Sequence, residues 1–157
     1  MKTSFKFGLL LMLSFSLMSS MCSDDDDDNS QSNNNTQTIQ EVTTQAQSGD
    51  WIITYFYDTD QEETNNFTGY IFTFGANNQL TATNGTNNYT GSWSVTDSNS
   101  NDDSPSDVDF NINFSSPPNF EDLSDDWDIV THSSIKIELI DVSGGNGGTD
   151  YLTFEKQ

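Results

Sequence analysis

The chain has 157 residues, of which 25 are acidic and only four are basic, all of them lysines, giving a formal charge of −21 at neutral pH. Affinity for nucleic acid rests on neutralising phosphates with Lys and Arg, so DNA and RNA are excluded as partners. The same imbalance argues against a head that lies flat on anionic lipid.

Lys2 and Lys6 lead into an apolar run from Phe7 to Met18, closed by Ser19-Ser20. That is the tripartite pattern of an export signal. About a dozen apolar residues are too few for a membrane-spanning helix, which takes roughly 20. Residues 1–21 are therefore expected to be a signal peptide. Cys22, the sole cysteine, follows directly. It has no second cysteine to pair with, and its place at the end of the apolar run is explained if it receives a lipid anchor after cleavage. Ser23 to Asp28 and the Asn, Ser and Gln residues up to Asn35 make residues 22–35 a solvated tether, too polar to build a core. Loss of the signal leaves Lys136 and Lys156 against all the acidic residues, which favours a soluble head held off the membrane.

Within residues 36–48, Ile39, Val42 and Ala46 fall at helical spacing and Ser48-Gly49 supplies a stop, so one short helix is expected to close an end of the domain. From 49 to 157 the pattern is period two, broken by turn residues, which is the signature of an antiparallel all-β domain. The expected strands are 51–57, 67–74, 79–84, 89–95, 108–114, 127–132, 135–142 and 149–155. The first is apolar almost throughout and reads as buried on both faces. In the second, Tyr70, Phe72 and Phe74 share a face. In the fifth, Val108, Phe110, Ile112 and Phe114 face the core and Asp109, Asn111 and Asn113 face water. In the seventh, Ile135, Ile137 and Leu139 point inward. Polar connections run over 58–66, 76–78, 85–88, 97–107 and 143–148, and Phe120 and Leu123, three apart, suggest one helical turn covering an open end. Eight sequential strands with short connections favour an eight-stranded antiparallel up-and-down barrel, whose closure removes exposed edges; the chain is expected to be a monomer.

Met21-Cys22 after the apolar run resembles a bacterial lipoprotein signal. Ser23 with Asp24 to Asp28 behind it looks like the address that sends certain Gram-negative lipoproteins to the outer face of the outer membrane. Gly49-Asp50-Trp51 opening the first strand, and the final Tyr151-Leu152-Thr153-Phe154, are similar to the lipocalin-like lipoproteins of Gram-negative bacteria. The resemblance implies a lipocalin-like barrel over 49–157, anchored in the outer membrane and facing the cell exterior. It also implies a Trp51 that closes one end of the barrel against a basic residue near the last strand, here Lys156. A small apolar or amphipathic ligand would sit among Trp51, Tyr70, Phe72, Trp93, Phe110 and Trp127.

Reactive groups are few. His132 is the only histidine, and after lipidation no thiol remains, which argues against histidine-based triads and metal centres. Carboxylates are plentiful, and glycoside hydrolysis needs two of them across a cleft. Asp125-Asp126-Trp127-Asp128 is the densest set, but no arginine or second histidine accompanies it, so the chain is not expected to be an enzyme and no cofactor is expected. Asp97, Asn99 and Asn101, and again Asp58, Asp60 and Glu62, have the one-three-five spacing of a calcium loop. Both lack the glycine and the closing Glu, so they read as solvated loops. Tyr55, Tyr57, Tyr89 and Trp127 are the candidates for a sugar-stacking platform, the alternative being a carbohydrate-binding or adhesion module.

Overall fold

The structure is a computed structural model that describes residues 28–97, 108–143 and 148–157. The export segment, Cys22 with the tether as far as residue 27, most of the 97–107 connection with its calcium-like spacing, and residues 144–147 lie outside the described residues.

Nine strands follow one another as a meander: β1 (Asp50–Asp58), β2 (Gln61–Glu62), β3 (Ile71–Phe74), β4 (Gln79–Thr83), β5 (Asn88–Asp97), β6 (Val108–Asn113), β7 (Asp125–His132), β8 (Lys136–Val142) and β9 (Thr149–Lys156). Each pairs antiparallel with its neighbour from β3 to β9, and β1 pairs with both β3 and β9. The sheet thus closes into an eight-stranded barrel, with β2 as a short ninth strand folded back on the end of β1. Alternation selects the register: Phe74 faces Leu80, Trp93 faces Ile112, Phe110 faces Trp127 and Leu139 faces Leu152, each a directly opposed inward pair. Slipping any of these pairings by one residue would turn its apolar set to water.

The turns follow local chemistry. Asn77 and Asn78 between β3 and β4 both have positive φ, the conformation that a tight hairpin demands and that Asn tolerates. Gly85, at φ 82°, does the same between β4 and β5.

Three helical segments close the two ends. Helix α1 (Asp28–Ala46) begins well before the expected start at residue 36, so the second half of the expected tether is helical. Its Val42 and Ala46 are fully buried in the core, and Trp51 Nε1 donates to the carbonyl of Ala46 at 2.8 Å. Gln45 Oε1 lies 2.9 Å from His132 Nδ1, which ties the helix to the end of β7. At the opposite end, a 3-10 turn (Thr64–Phe67) and helix α2 (Pro118–Glu121) insert Phe67, Phe120 and Leu123, all buried. The expected helical turn at Phe120 and Leu123 does cover that end.

Several positions depart from simple alternation. β1 is not buried on both faces: Trp51, Ile53 and Phe56 are inside, while Tyr55 is 39% exposed. A bulge between Ile53 and Tyr55 shifts the phase, and a closed barrel has no second layer to cover its outer wall. Ile135, expected inward, is 66% exposed, because β8 starts only at Lys136 and Ile135 sits in the turn held by Ser133. Asp109, expected in water, is only 6% exposed. It lies where α1 meets β5 and β6, close to the hydrogen bond from Asn35 Nδ2 to Asp97 Oδ1 at 3.3 Å. The strand expected from residue 67 begins at Ile71, since 64–67 wind into the 3-10 turn instead.

Candidate functional site

All six residues expected to line a ligand hollow, Trp51, Tyr70, Phe72, Trp93, Phe110 and Trp127, are buried. They lie against one another and against further buried rings. Phe74 stands edge-on to Phe110 at 5.3 Å between ring centroids and to Trp93 at 5.2 Å. Phe72 meets Phe154 at 5.5 Å and stacks on Phe120 at 6.0 Å. Trp127 reaches Phe56 and donates its Nε1–H to the Leu123 carbonyl at 3.1 Å. Rings in mutual contact at these spacings fill the middle of the barrel, as an eight-stranded interior can be filled by its own side chains. Phe120 completes the closure, with Tyr70, Tyr89, Phe67 and Phe114 all within 4.7 to 5.2 Å of its centroid.

At the α1 end, Lys156 Nζ lies 5.4 Å over the Trp51 ring, the disposition that the lipocalin resemblance implied. It also donates to Ser48 Oγ at 2.6 Å and to the Ser134 carbonyl at 3.3 Å. A Cβ at Gly49 would come within 2.7 Å of Lys156 Cε, a contact that the flexible lysine side chain can relieve by shifting.

The outer wall carries two features. The first is an open groove of about 420 Å³ across β5, β6 and the start of β7. Ser92, Ser94, Asn111 and Asn113 line it, with Asn78 and Asp125 at its ends. Burial pushes the Asp125 carboxyl up to about 6, helped by a hydrogen bond with the Asp126 side chain and by the charges of Asp141 and Asp126. The backbone N–H of Asp126, 2.9 Å away, opposes the shift. Asp125 and Asp126 are neighbours on one strand, opposite Ile112 and Asn111 respectively, and do not face each other across a cleft as a glycosidase pair must.

The second feature is a strip of tyrosines on β1 and β9. Tyr57 is directly opposite Tyr151, with ring centroids 6.3 Å apart and planes at 61°. Tyr55, two residues earlier on the same side of β1, is opposite Thr153. Tyr55 and Tyr151 are about two-fifths exposed, and none of the three phenol oxygens makes a hydrogen bond within the described residues. Of the four expected sugar-stacking aromatics, Tyr55 and Tyr57 are on this strip. Trp127 is in the core, and Tyr89 packs against Tyr70 and Phe120. Tyr151 joins the strip unforeseen; its outward phase follows from Leu152 and Phe154 pointing inward, a signal that alternation in the last strand already carries.

Asp58, Asp60 and Glu62 do not converge: Thr59 and Asp60 form a two-residue turn at positive φ, and Glu62 is paired across from Tyr57. Among the described residues no group of three or more His, Cys, Asp or Glu side chains is gathered to hold a metal ion. No protein-family model matches the chain, and neither a curated protein nor a solved structure does.

Proposed function

We propose that this chain is a membrane-anchored lipoprotein, attached through Cys22, whose non-catalytic β-barrel head meets its partner with the outer wall. The export signal, the single cysteine directly after it and the acidic run behind it support the anchor and an outward-facing position on the outer membrane. The Trp51–Lys156 contact supports a lipocalin-like relationship of the head. One observation carries the choice of surface: aromatic rings fill the barrel and both ends are closed, which disfavours a small apolar guest inside. Carbohydrate binding or adhesion at the wall is then the favoured class, and the exposed tyrosines on β1 and β9 support it.

The anchor is tested by feeding an alkyne-bearing fatty acid to Gram-negative cells producing the full chain. The wild type should take up the label and sediment with membranes, and Cys22→Ala should do neither. Label retained by Cys22→Ala would refute anchoring at that residue. Protease added to intact cells should digest the head if it faces outward.

A further inference from the structure

Tyr57 and Tyr151 lie in one row across the sheet, with Glu62 beyond Tyr57 on one side and Ile140, then Asp128, beyond Tyr151 on the other. Strands are about 4.8 Å apart, so the stretch from Tyr57 to Ile140 is roughly 10 Å wide, and Tyr55 extends it by about 7 Å along β1. The surface is an aromatic floor with acceptor groups at its rim: Glu62 beside Tyr57, Thr153 beside Tyr55, and Asp128 beyond Ile140.

Three properties select the occupant. Two tyrosines about two-fifths exposed offer on the order of 80 Å² each, so even with Tyr57 and Ile140 the strip falls well short of the roughly 800 Å² per partner that a stable protein interface uses. It matches one or two sugar rings. Among the described residues the only lysines are Lys136, engaged by Glu138, and Lys156, engaged by Ser48, which with a net charge of −21 disfavours an anionic ligand. Carboxylates and hydroxyls at the rim suit a ligand rich in O–H donors. A sugar ring presents an apolar C–H face to an aromatic floor and hydroxyls at its edge.

We propose that Tyr55, Tyr57 and Tyr151 form a binding platform for a neutral glycan, two rings long, stacked on the outer wall of β1 and β9. The platform rests on the carbohydrate reading above and locates it.

The test uses the full chain purified in detergent. It is screened on an array of neutral and sialylated glycans, and then titrated calorimetrically with the strongest neutral oligosaccharide and, separately, with polylysine. A neutral oligosaccharide should bind. Tyr57→Ala and Tyr151→Ala should each weaken it at least about tenfold, whereas Tyr57→Phe, which keeps the stacking face, should stay within about threefold. Tyr151 is exposed and Tyr57 half-buried on the outer wall, so the stability read from the urea midpoint should move by no more than about 1 kcal/mol, and a variant that stays folded by this measure has lost binding for another reason than unfolding. If the sugar binds but the tyrosine variants match the wild type and Asn113→Ala abolishes binding, the ligand occupies the β5–β6 groove; the platform is then wrong and the carbohydrate reading stands. If no neutral glycan binds, both fall. Polylysine binding that Tyr57→Ala removes would replace the glycan with a basic partner.

Discussion

The two faces of β1 differ in chemistry much less than in circumstance. Inside, Trp51, Ile53 and Phe56 are buried among rings; outside, Ile52, Tyr55 and Tyr57 are comparably apolar and are left half-covered or open. Apolar character alone therefore does not decide what the core contains. Closure of the sheet does, because one face of a closed barrel has nothing beyond it. The inside is used up by structure, and the outside retains tyrosines whose phenol oxygens make no hydrogen bond within the described residues.

The comparison predicts unequal responses to substitution. The largest belongs to Phe120, which closes one end and touches five aromatic rings. Phe120→Ala should lower stability by about 3–5 kcal/mol, as for a large side chain removed from a packed core, read from the urea midpoint. It should also open a space at that end, so uptake of an apolar dye should appear in the variant and be absent from the wild type. Lys156→Ala removes the cation over Trp51 and the contact with Ser48, on a partly exposed side chain. About 1 kcal/mol of stability should be lost, with little change in the slope of the unfolding curve.

Asp125 gives a response of opposite sign that depends on pH. Its folded-state value near 6 stands above the ordinary 3.8, so the folded protein holds this proton more tightly than the unfolded chain does. The resulting stabilisation is complete below about pH 4 and is lost as pH rises to about 6; above that, an ionised and partly desolvated carboxylate is a penalty. Asp125→Asn should therefore stabilise the protein at pH 7, by about 1 kcal/mol once solvent screening is allowed for, and leave it unchanged near pH 3.5. Urea unfolding at the two pH values reads this directly. The smallest effect is expected outside: Tyr55→Ala should change stability by less than about 1 kcal/mol, because the residue lies on the outer wall and stays two-fifths exposed. A loss comparable with Phe120→Ala would mean that the wall is core after all.

Much of this was legible in the chain because alternation is a local property. Val108, Phe110 and Ile112 against Asn111 and Asn113 define the two sides of β6 without knowledge of any partner. Short turns between successive strands make a meander the simplest topology. The bulge after Ile53 was not legible: nothing in Ile52-Ile53-Thr54-Tyr55 marks where a phase shifts, since any of these residues suits either face. The early start of α1 was hidden by its composition, because Asn and Ser are mediocre helix formers and the packing that holds the helix lies at its other end.

The candidate site illustrates the same limit. Filled and hollow barrels share one alternation, and whether Tyr70, Phe72 and Phe110 surround a ligand or one another depends on how far Phe67 and Phe120 reach in from their connections. That is a three-dimensional fact. The outward phase of Tyr55 and Tyr57, by contrast, becomes readable once Phe56 is known to point inward.

The claim on which the rest depends is that the barrel holds no guest and works with its wall. Native mass spectrometry of the full chain, released from detergent after incubation with oleate, tests it most directly. The account predicts the mass of the anchored chain alone, with the urea midpoint unmoved by the fatty acid. A stoichiometric oleate adduct that persists in Tyr57→Ala and Tyr151→Ala would contradict it and return the ligand to the interior.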